Sequence, residues 1–125
     1  MAFRRFEDLR VFQTSEHLAD AVWNMVSSWD YFAKDTVGKQ LVRAADSIGV
    51  NIAEGAGRGS SKDNQRFIRI ARGSLNETKV WLLRAFKRNL LTEPQAENLK
   101  TILDELGPTL NAYLKSIGKQ KNTKH

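Results

Sequence analysis

Apolar residues recur along this chain at spacings of three, four and seven positions, the period that places side chains on one face of an α-helix. Four such segments follow one another, separated by short polar or glycine-rich breaks. They predict helices over residues of about 7–28, 35–54, 61–89 and 93–117. Four apolar stripes with short connections predict an all-α fold, an antiparallel up-down-up-down four-helix bundle in a single domain over residues 1–125.

The break between the second and third helices is rich in glycine. Gly55, Gly57 and Gly59 predict a turn through positive φ, because glycine has no Cβ to clash there. Ser60 or Ser61 is predicted to cap the third helix by accepting a hydrogen bond from a free N–H. The break lacks the Gly-x-x-x-x-Gly-Lys-Ser/Thr run of a phosphate-binding loop, so we interpret it as an interhelical loop.

Other local signals mark connections and packing. Trp29–Lys34 is predicted to connect the first two helices. The glycine in Gly73–Ser74 predicts close packing of another helix, which offsets the low helix propensity of glycine. Gly107–Pro108 predicts a kink in the fourth helix rather than a stop. Gly118 is predicted to end that helix, leaving residues 119–125 as a basic, disordered tail.

Composition adds a positive charge. The chain has 20 Lys and Arg residues against 14 Asp and Glu residues, a net charge of +6. Such a surplus favours acidic partners such as nucleic acid, although it also falls within the range that keeps small domains soluble. Cysteine is absent, which excludes disulfides and thiolate metal sites. Neither a signal-peptide pattern nor a long apolar run is present, so we expect a cytoplasmic protein without membrane association.

The third helix concentrates this charge. Residues 61–89 hold eight basic residues but only two acidic ones, Asp63 and Glu77. A solvated helix face usually mixes both signs, so the scarcity of acids predicts a nucleic-acid-binding face that contacts phosphates without strong sequence preference. Its predicted binding residues are Lys62, Arg66, Arg69, Arg72, Lys79, Arg84, Lys87 and Arg88.

Catalytic chemistry has little support in the sequence. Glu16 and His17 are adjacent, so they lie about 100° apart on a helix and lack the Glu-x-x-His spacing of di-iron bundles. Asn51 and Glu54 lie near the apolar side of the second helix, and we interpret them as capping and hydrogen-bonding groups of the hairpin. We therefore predict a non-enzymatic protein with no catalytic residue, cofactor or metal.

An alternative function is that of a structural or adaptor protein that assembles with itself and binds a protein partner. It rests on four large aromatic residues, more than a thin bundle seam readily hides: Trp23, Tyr31, Phe32 and Trp81. Trp81 falls at the edge of the apolar side of its helix, where we interpret it as a core residue rather than a base-stacking platform. Salt-dependent binding to RNA or DNA separates the two functions.

Two long motifs resemble a known family. They are QL-x-RAA-x-SI-x-x-NIAEG-x-GR, from Gln40 to Arg58, and D-x-x-RF-x-x-IA-x-GSL-x-E, from Asp63 to Glu77. Both resemble the signature of bacterial four-helix-bundle proteins encoded in intervening sequences of large-subunit ribosomal RNA genes. The resemblance covers roughly residues 6–117 and departs at Gly49, where the family often has proline.

That family is also similar to the accessory protein of diversity-generating retroelements, a basic pentameric barrel that binds nucleic acid and a reverse transcriptase. The resemblance therefore implies a cyclic homo-oligomer, a pentamer, that binds nucleic acid. The number of subunits comes from the resemblance alone. The physical motive for assembly is more general, since small residues of the central hairpin allow close approach and aromatic residues remain to be buried.

Overall fold

The computed structural model describes the backbone of residues 5–123 and the side chains of residues 5–119. Within this part of the chain the protein is all-α, with four long helices and no strand. The helices are α1 (Arg10–Val26), α2 (Lys39–Ala56), α3 (Ser61–Lys87) and α4 (Glu93–Thr123). They form a single helical bundle, which confirms the predicted all-α class and the four helical segments. No helix in the described range is both long and apolar enough to cross a membrane.

Each long helix buries one apolar stripe against two neighbours. α2 packs against α1 and α3, and α4 packs against the same two helices from the other side. Burying a leucine or isoleucine side chain stabilises a fold by about 1.5–3 kcal/mol, so the shared core holds the bundle together. Its largest fully buried aliphatic residues are Leu18, Val22, Leu41, Ile48, Ile52, Ile68, Leu106 and Leu110.

The first helix is shorter than predicted. Phe6–Asp8 form one 3-10 turn, and Leu9 then adopts an extended backbone with φ −76° and ψ 128° before α1 begins at Arg10. The break lets the Phe6 ring pack edge-on against the Phe12 ring, with 4.9 Å between the ring centroids. An unbroken helix from residue 7 was therefore a wrong prediction, because a tertiary contact between aromatic rings bends the chain back.

The second helical segment begins earlier than predicted. The Asp30 carboxylate accepts a hydrogen bond from the Ala33 N–H at 3.0 Å and so caps a helical turn over Tyr31–Ala33. That turn continues through a π-helical segment, Lys34–Gly38, directly into α2. The predicted connection over Trp29–Lys34 is therefore wrong beyond Asp30, because Asp30 caps the helix before Asp35 is reached.

The glycine-rich break does not use positive φ. No glycine in the described residues has a positive φ, so the predicted role of Gly55, Gly57 and Gly59 is wrong. Gly55 lies inside α2, where an added Cβ would sit 2.5 Å from Asn64 Oδ1. This glycine therefore lets the start of α3 pack closely against the end of α2. Left-handed backbone occurs instead at Asn89, with φ 60°, just after α3.

Side chains cap the starts of both α3 and α4, and the predicted cap by Ser60 is confirmed. The Ser60 hydroxyl accepts a hydrogen bond from the Asp63 N–H at 3.1 Å, and α3 starts at the next residue. Ahead of α4, the Gln95 N–H donates to Thr92 Oγ1 at 3.3 Å, and the Thr92 N–H donates to Gln95 Oε1 at 2.9 Å. These two hydrogen bonds form the reciprocal capping box.

The contact between α2 and α3 uses hydroxyls rather than Gly73. Ser47 Oγ and Ser74 Oγ share a hydrogen bond of 2.8 Å across the two helices, and Asn51 Nδ2 donates to the Ser47 carbonyl at 2.8 Å. The hydrogen-bonding role of Asn51 is therefore confirmed. Gly73 is exposed, and an added Cβ would meet nothing within 4 Å, so the predicted helix packing on Gly73 is wrong. One residue turns a helical side chain by about 100°, which moves Gly73 off the interface.

The fourth helix is longer than predicted. It passes through Pro108, as expected, but continues beyond Gly118 to Thr123. The prediction of a disordered tail is therefore wrong for residues 119–123, while residues 124–125 lie outside the described residues. An added Cβ at Gly118 would lie 3.1 Å from Gln65 Nε2 of α3. The neighbour of this glycine is thus the flexible end of a side chain, and the low helix propensity of glycine alone does not end the helix.

A polar link joins α1 to α4. Thr14 Oγ1 and Arg10 Nη2 both donate to Glu105 Oε2, at 3.0 and 2.9 Å. The Thr14 hydrogen bond, followed by the positive charge of Arg10, lowers the pKa of Glu105 below its ordinary value. The carboxylate therefore stays ionised in neutral solution and holds both donors.

Candidate nucleic-acid interface

α3 keeps its apolar stripe and its cations apart along its length. The residues it buries in the bundle recur three or four positions apart, and they are Ile68, Ala71, Leu75, Thr78, Leu82 and Ala85. All eight basic residues singled out from the sequence are exposed: Lys62, Arg66, Arg69, Arg72, Lys79, Arg84, Lys87 and Arg88. The helical period therefore placed every one of them outside the core.

The eight cations do not form one continuous stripe. Six of them lie on the outer surface of α3 as two groups, an N-terminal group (Lys62, Arg66 and Arg69) and a C-terminal group (Arg84, Lys87 and Arg88). At a rise of about 1.5 Å per residue, the 15 positions from Arg69 to Arg84 separate the groups by about 22 Å. Gly73, Asn76, Glu77 and Val80 occupy the exposed surface between them.

The remaining two cations turn toward α4. Arg72 Nη1 donates to Asn111 Oδ1 of that helix at 3.5 Å. Lys79 borders a groove between the helices together with Lys100 and Asp104. The structure therefore does not bring all eight predicted residues together. Arg72 and Lys79 flank the outer surface rather than belong to it.

Next to the N-terminal group lies Arg58, a cation that was not among the eight predicted binding residues. The Arg58 and Arg66 guanidiniums lie 4.7 and 4.4 Å from the centroid of the Phe67 ring. Each is also held by a nearby carboxylate, Arg58 by Glu54 at 3.2 Å and Arg66 by Asp63 at 3.5 Å. Exposed ion pairs of this kind contribute only about 0–1 kcal/mol, so a phosphate can replace the carboxylates readily. The spacing of four between Glu54 and Arg58 was the sequence signal for this pair.

The C-terminal group is anchored by an indole ring. Arg84 Cζ lies 4.8 Å from the centroid of the Trp81 ring. Trp81 packs against the core but remains half-buried, so its interpretation as a core residue holds only for part of the side chain. Lys87 ends α3 and Arg88 caps it, at the helix end where cations interact favourably with the helix dipole.

Acidic residues gather on a different part of the bundle. Glu16 and Asp20 on α1 face Asp46 on α2, and α1 makes no major contact with α3. Burial, followed by the charge of Asp20, raises the pKa of Asp46. Burial, followed by the charges of Asp20 and Asp46, raises the pKa of Glu16. The separation of this acidic cluster from α3 leaves the outer surface of α3 with a clear positive potential.

Several large apolar side chains are also exposed. Trp23, Tyr31 and Phe32 are 61%, 79% and 77% exposed, as the surplus of aromatic residues predicted. Ile70, Val80, Leu83 and Phe86 on α3 are about half exposed as well, and the sequence analysis did not identify them as surface. Exposed apolar surface on this scale is typical of regions that contact other molecules.

These features define a class of protein: an all-helical bundle with two groups of cations on one exposed helix. The family model of the 23S rRNA-intervening sequence protein matches residues 7–112, and the chain belongs to this family. The resemblance drawn from the two motifs is thereby confirmed for the ribosomal RNA intervening-sequence family.

A solved structure supports the same assignment. The chain is similar to a protein with unknown function from the S23 ribosomal protein family of Bacteroides thetaiotaomicron, with 26% sequence identity and a TM-score of 0.74. The similarity covers 84% of this chain and 95% of that one. No curated protein sequence matches the chain.

Proposed function

We propose that this protein is a non-enzymatic, cytoplasmic nucleic-acid-binding protein that contacts phosphates through the two basic groups of α3. The observation that carries the proposal is the availability of these cations. Among the described side chains, Arg66 is the only member of the two groups that forms an ion pair. Cations without a carboxylate partner are free to neutralise phosphates and release the condensed counterions.

Family membership supports the proposal. The family is named for the intervening sequences of 23S ribosomal RNA. The resemblance further implies a similarity of this family to the accessory protein of diversity-generating retroelements, a basic protein that binds nucleic acid. Contacts through phosphates carry no base information, so we expect little sequence preference from the basic groups themselves.

We propose further that neighbouring helices of the bundle run antiparallel. Three glycine and serine contacts support this arrangement. Gly55 near the end of α2 approaches Asn64 near the start of α3, whereas Ser47 earlier in α2 meets Ser74 later in α3. Gly118 near the end of α4 likewise approaches the first turns of α3.

We also propose that the bundle assembles into a cyclic homo-oligomer, with five subunits as the resemblance implies. The exposed side chain of Trp23 supports self-association, because burying it contributes hydrophobic free energy. A ring repeats the basic groups, so weak phosphate contacts of single subunits add through avidity. Light scattering at micromolar protein concentration tests the assembly, and a monomer mass contradicts it.

The binding proposal is tested by removing three cations from the outer surface of α3. We expect the triple variant Arg66→Ala, Arg69→Ala, Arg84→Ala to bind RNA and DNA more weakly at every sequence. The slope of log affinity against log salt changes by about 0.9 for each lost phosphate contact with duplex DNA, which is about 2.7 for three. Fluorescence anisotropy between about 50 and 200 mM salt measures both quantities.

The matched control removes the same charge from another helix. Lys100, Lys115 and Lys119 are exposed on α4, and their triple alanine variant has the same net charge as the α3 variant. We expect this control to keep the salt slope of the wild type. Equal slopes for both folded triple variants show that the phosphates bind elsewhere on the surface.

A second candidate function is that of an adaptor that binds a protein partner. It is favoured by the exposed apolar residues of α3 and of the turn before α2, above all Phe32 and Phe86. A wild-type protein that binds neither RNA nor DNA at low salt supports the adaptor function in place of the first proposal.

A further inference from the structure

A cavity lies beside the C-terminal basic group of α3, where that helix meets the capped turn before α2. Its volume is about 640 Å³, within the range of about 300–1,000 Å³ that is typical of small-molecule sites. Two aromatic rings and four polar side chains line it: Phe32, Trp81, Asp30, Thr36, Gln40 and Arg88. The cavity therefore combines flat apolar walls with hydrogen-bonding groups.

The aromatic walls suit a flat ring. Phe32 is 77% exposed although it lines the cavity, so no residue that the structure describes covers its ring. Trp81 lines the same cavity and carries the Arg84 guanidinium 4.8 Å from its ring centroid. Nucleobases stack on such rings whatever their sequence, because every base has a π-face.

The polar groups suit the edge of a base better than a phosphate. The Gln40 side-chain amide forms no hydrogen bond with any residue that the structure describes, so its donor and acceptor are both available. Thr36 Oγ1 donates to the Phe32 carbonyl at 2.6 Å and keeps its lone pairs. The Asp30 carboxylate accepts from the Ala33 N–H at 3.0 Å and repels phosphate from the interior. Amide and carboxylate groups of this kind pair with base edges.

The C-terminal basic group can contact the phosphates of a nucleotide whose base occupies the cavity. Arg88 lines the cavity, and Arg84 and Lys87 are exposed on the last turn of α3, which Arg88 follows directly. A nucleotide that stacks its base on an aromatic wall of the cavity can therefore reach these three side chains with its phosphates. Proteins that bind single strands generally combine aromatic rings that stack on bases with cations that contact the phosphates.

We propose that this cavity takes one unpaired base of a single-stranded nucleic acid whose phosphates lie on Arg84, Lys87 and Arg88. The inference rests on the proposed nucleic-acid function and adds a base-binding site that only single strands can fill. A duplex keeps its bases paired and stacked, so it can contact the cations but cannot fill the cavity.

The experiment compares two neighbouring exposed aromatic residues. Phe32→Ala removes a cavity wall, whereas Tyr31→Ala removes a ring that is 79% exposed but does not line the cavity. Each variant and the wild type are titrated by fluorescence anisotropy against a labelled single-stranded DNA oligonucleotide and against its duplex. We expect Phe32→Ala to weaken single-strand binding about 5- to 150-fold and to leave duplex binding unchanged. Tyr31→Ala should leave both unchanged.

Several results overturn the inference. If Phe32→Ala binds the single strand as tightly as the wild type does, the cavity is not a base site. The same conclusion follows if the variant loses equal affinity for the single strand and the duplex. A changed oligomer mass of Phe32→Ala in light scattering, with single-strand affinity unchanged, identifies Phe32 as a subunit contact instead. If the wild type binds neither probe at low salt, the proposed nucleic-acid function is wrong as well. This outcome is distinguishable, because in every other outcome the wild type binds at least one probe.

Discussion

Gly55 and Gly73 give opposite predictions for the same substitution by alanine. Both lie inside helices and neither has a positive φ, so alanine introduces no backbone strain at either position. A Cβ at Gly73 would meet nothing within 4 Å. A Cβ at Gly55 would lie 2.5 Å from Asn64 Oδ1, and 3.1 Å from both the Asn64 carbonyl oxygen and Phe67 Cβ. The two sites therefore separate helix propensity from close packing.

The magnitudes follow from these distances. Gly73→Ala should stabilise the protein by about 0.4–1 kcal/mol, because alanine loses less conformational freedom on folding. Gly55→Ala has the same propensity gain of up to about 1 kcal/mol, but overpacking costs about 1–3 kcal/mol. The Asn64 side chain can rotate away, whereas its backbone oxygen cannot move without displacing α3. We therefore expect Gly55→Ala to destabilise the protein by up to about 2 kcal/mol.

Urea denaturation measures both effects. The protein concentration is kept fixed, because the stability of an oligomer depends on it. The midpoint should rise for Gly73→Ala and fall for Gly55→Ala while the slope m stays constant. Adding Asn64→Ala to Gly55→Ala removes the nearest contact and should recover part of the loss, relative to Asn64→Ala alone.

Two outcomes contradict this reasoning. Greater stability of Gly55→Ala than of the wild type means that α2 and α3 do not approach as closely as the 3.1 Å distance to the Asn64 carbonyl oxygen requires. A loss of stability in Gly73→Ala means that another surface packs on Gly73, such as a second subunit.

Three further predictions concern the core, a cap and a charge cluster. Leu106→Ala should destabilise the protein by about 2–5 kcal/mol in urea denaturation, and half-buried Leu103→Ala by clearly less. Asp30→Ala should cost about 0.5–2 kcal/mol by the same measurement, because the Ala33 N–H loses its cap. Asp46→Asn should stabilise the protein by at most about 0.5 kcal/mol at neutral pH. Burial and Asp20 raise the folded-state pKa of Asp46, so the ionised group opposes folding above that pKa and this penalty is relieved as the pH falls. The difference between wild type and Asp46→Asn in thermal denaturation should therefore vanish in acid.

The sequence by itself determined the helical segments and their caps. Helical periodicity places one stripe of each segment in the core, whatever the neighbouring helix is. Ser60 and the Thr92–Gln95 pair cap their helices through hydrogen bonds that span three residues, so their partners are close in sequence. The exposure of all eight α3 cations followed from the same periodicity.

Only the tertiary structure decided how the segments use their glycines and their surface. Gly55 serves close packing because α3 approaches it, and Gly73 does not, although both lie in helices. The cavity joins Phe32 to Trp81, which are far apart in sequence. Periodicity specifies which face of a helix is buried, but it carries no information about the distance of the neighbouring backbone or about which side chains meet across the bundle.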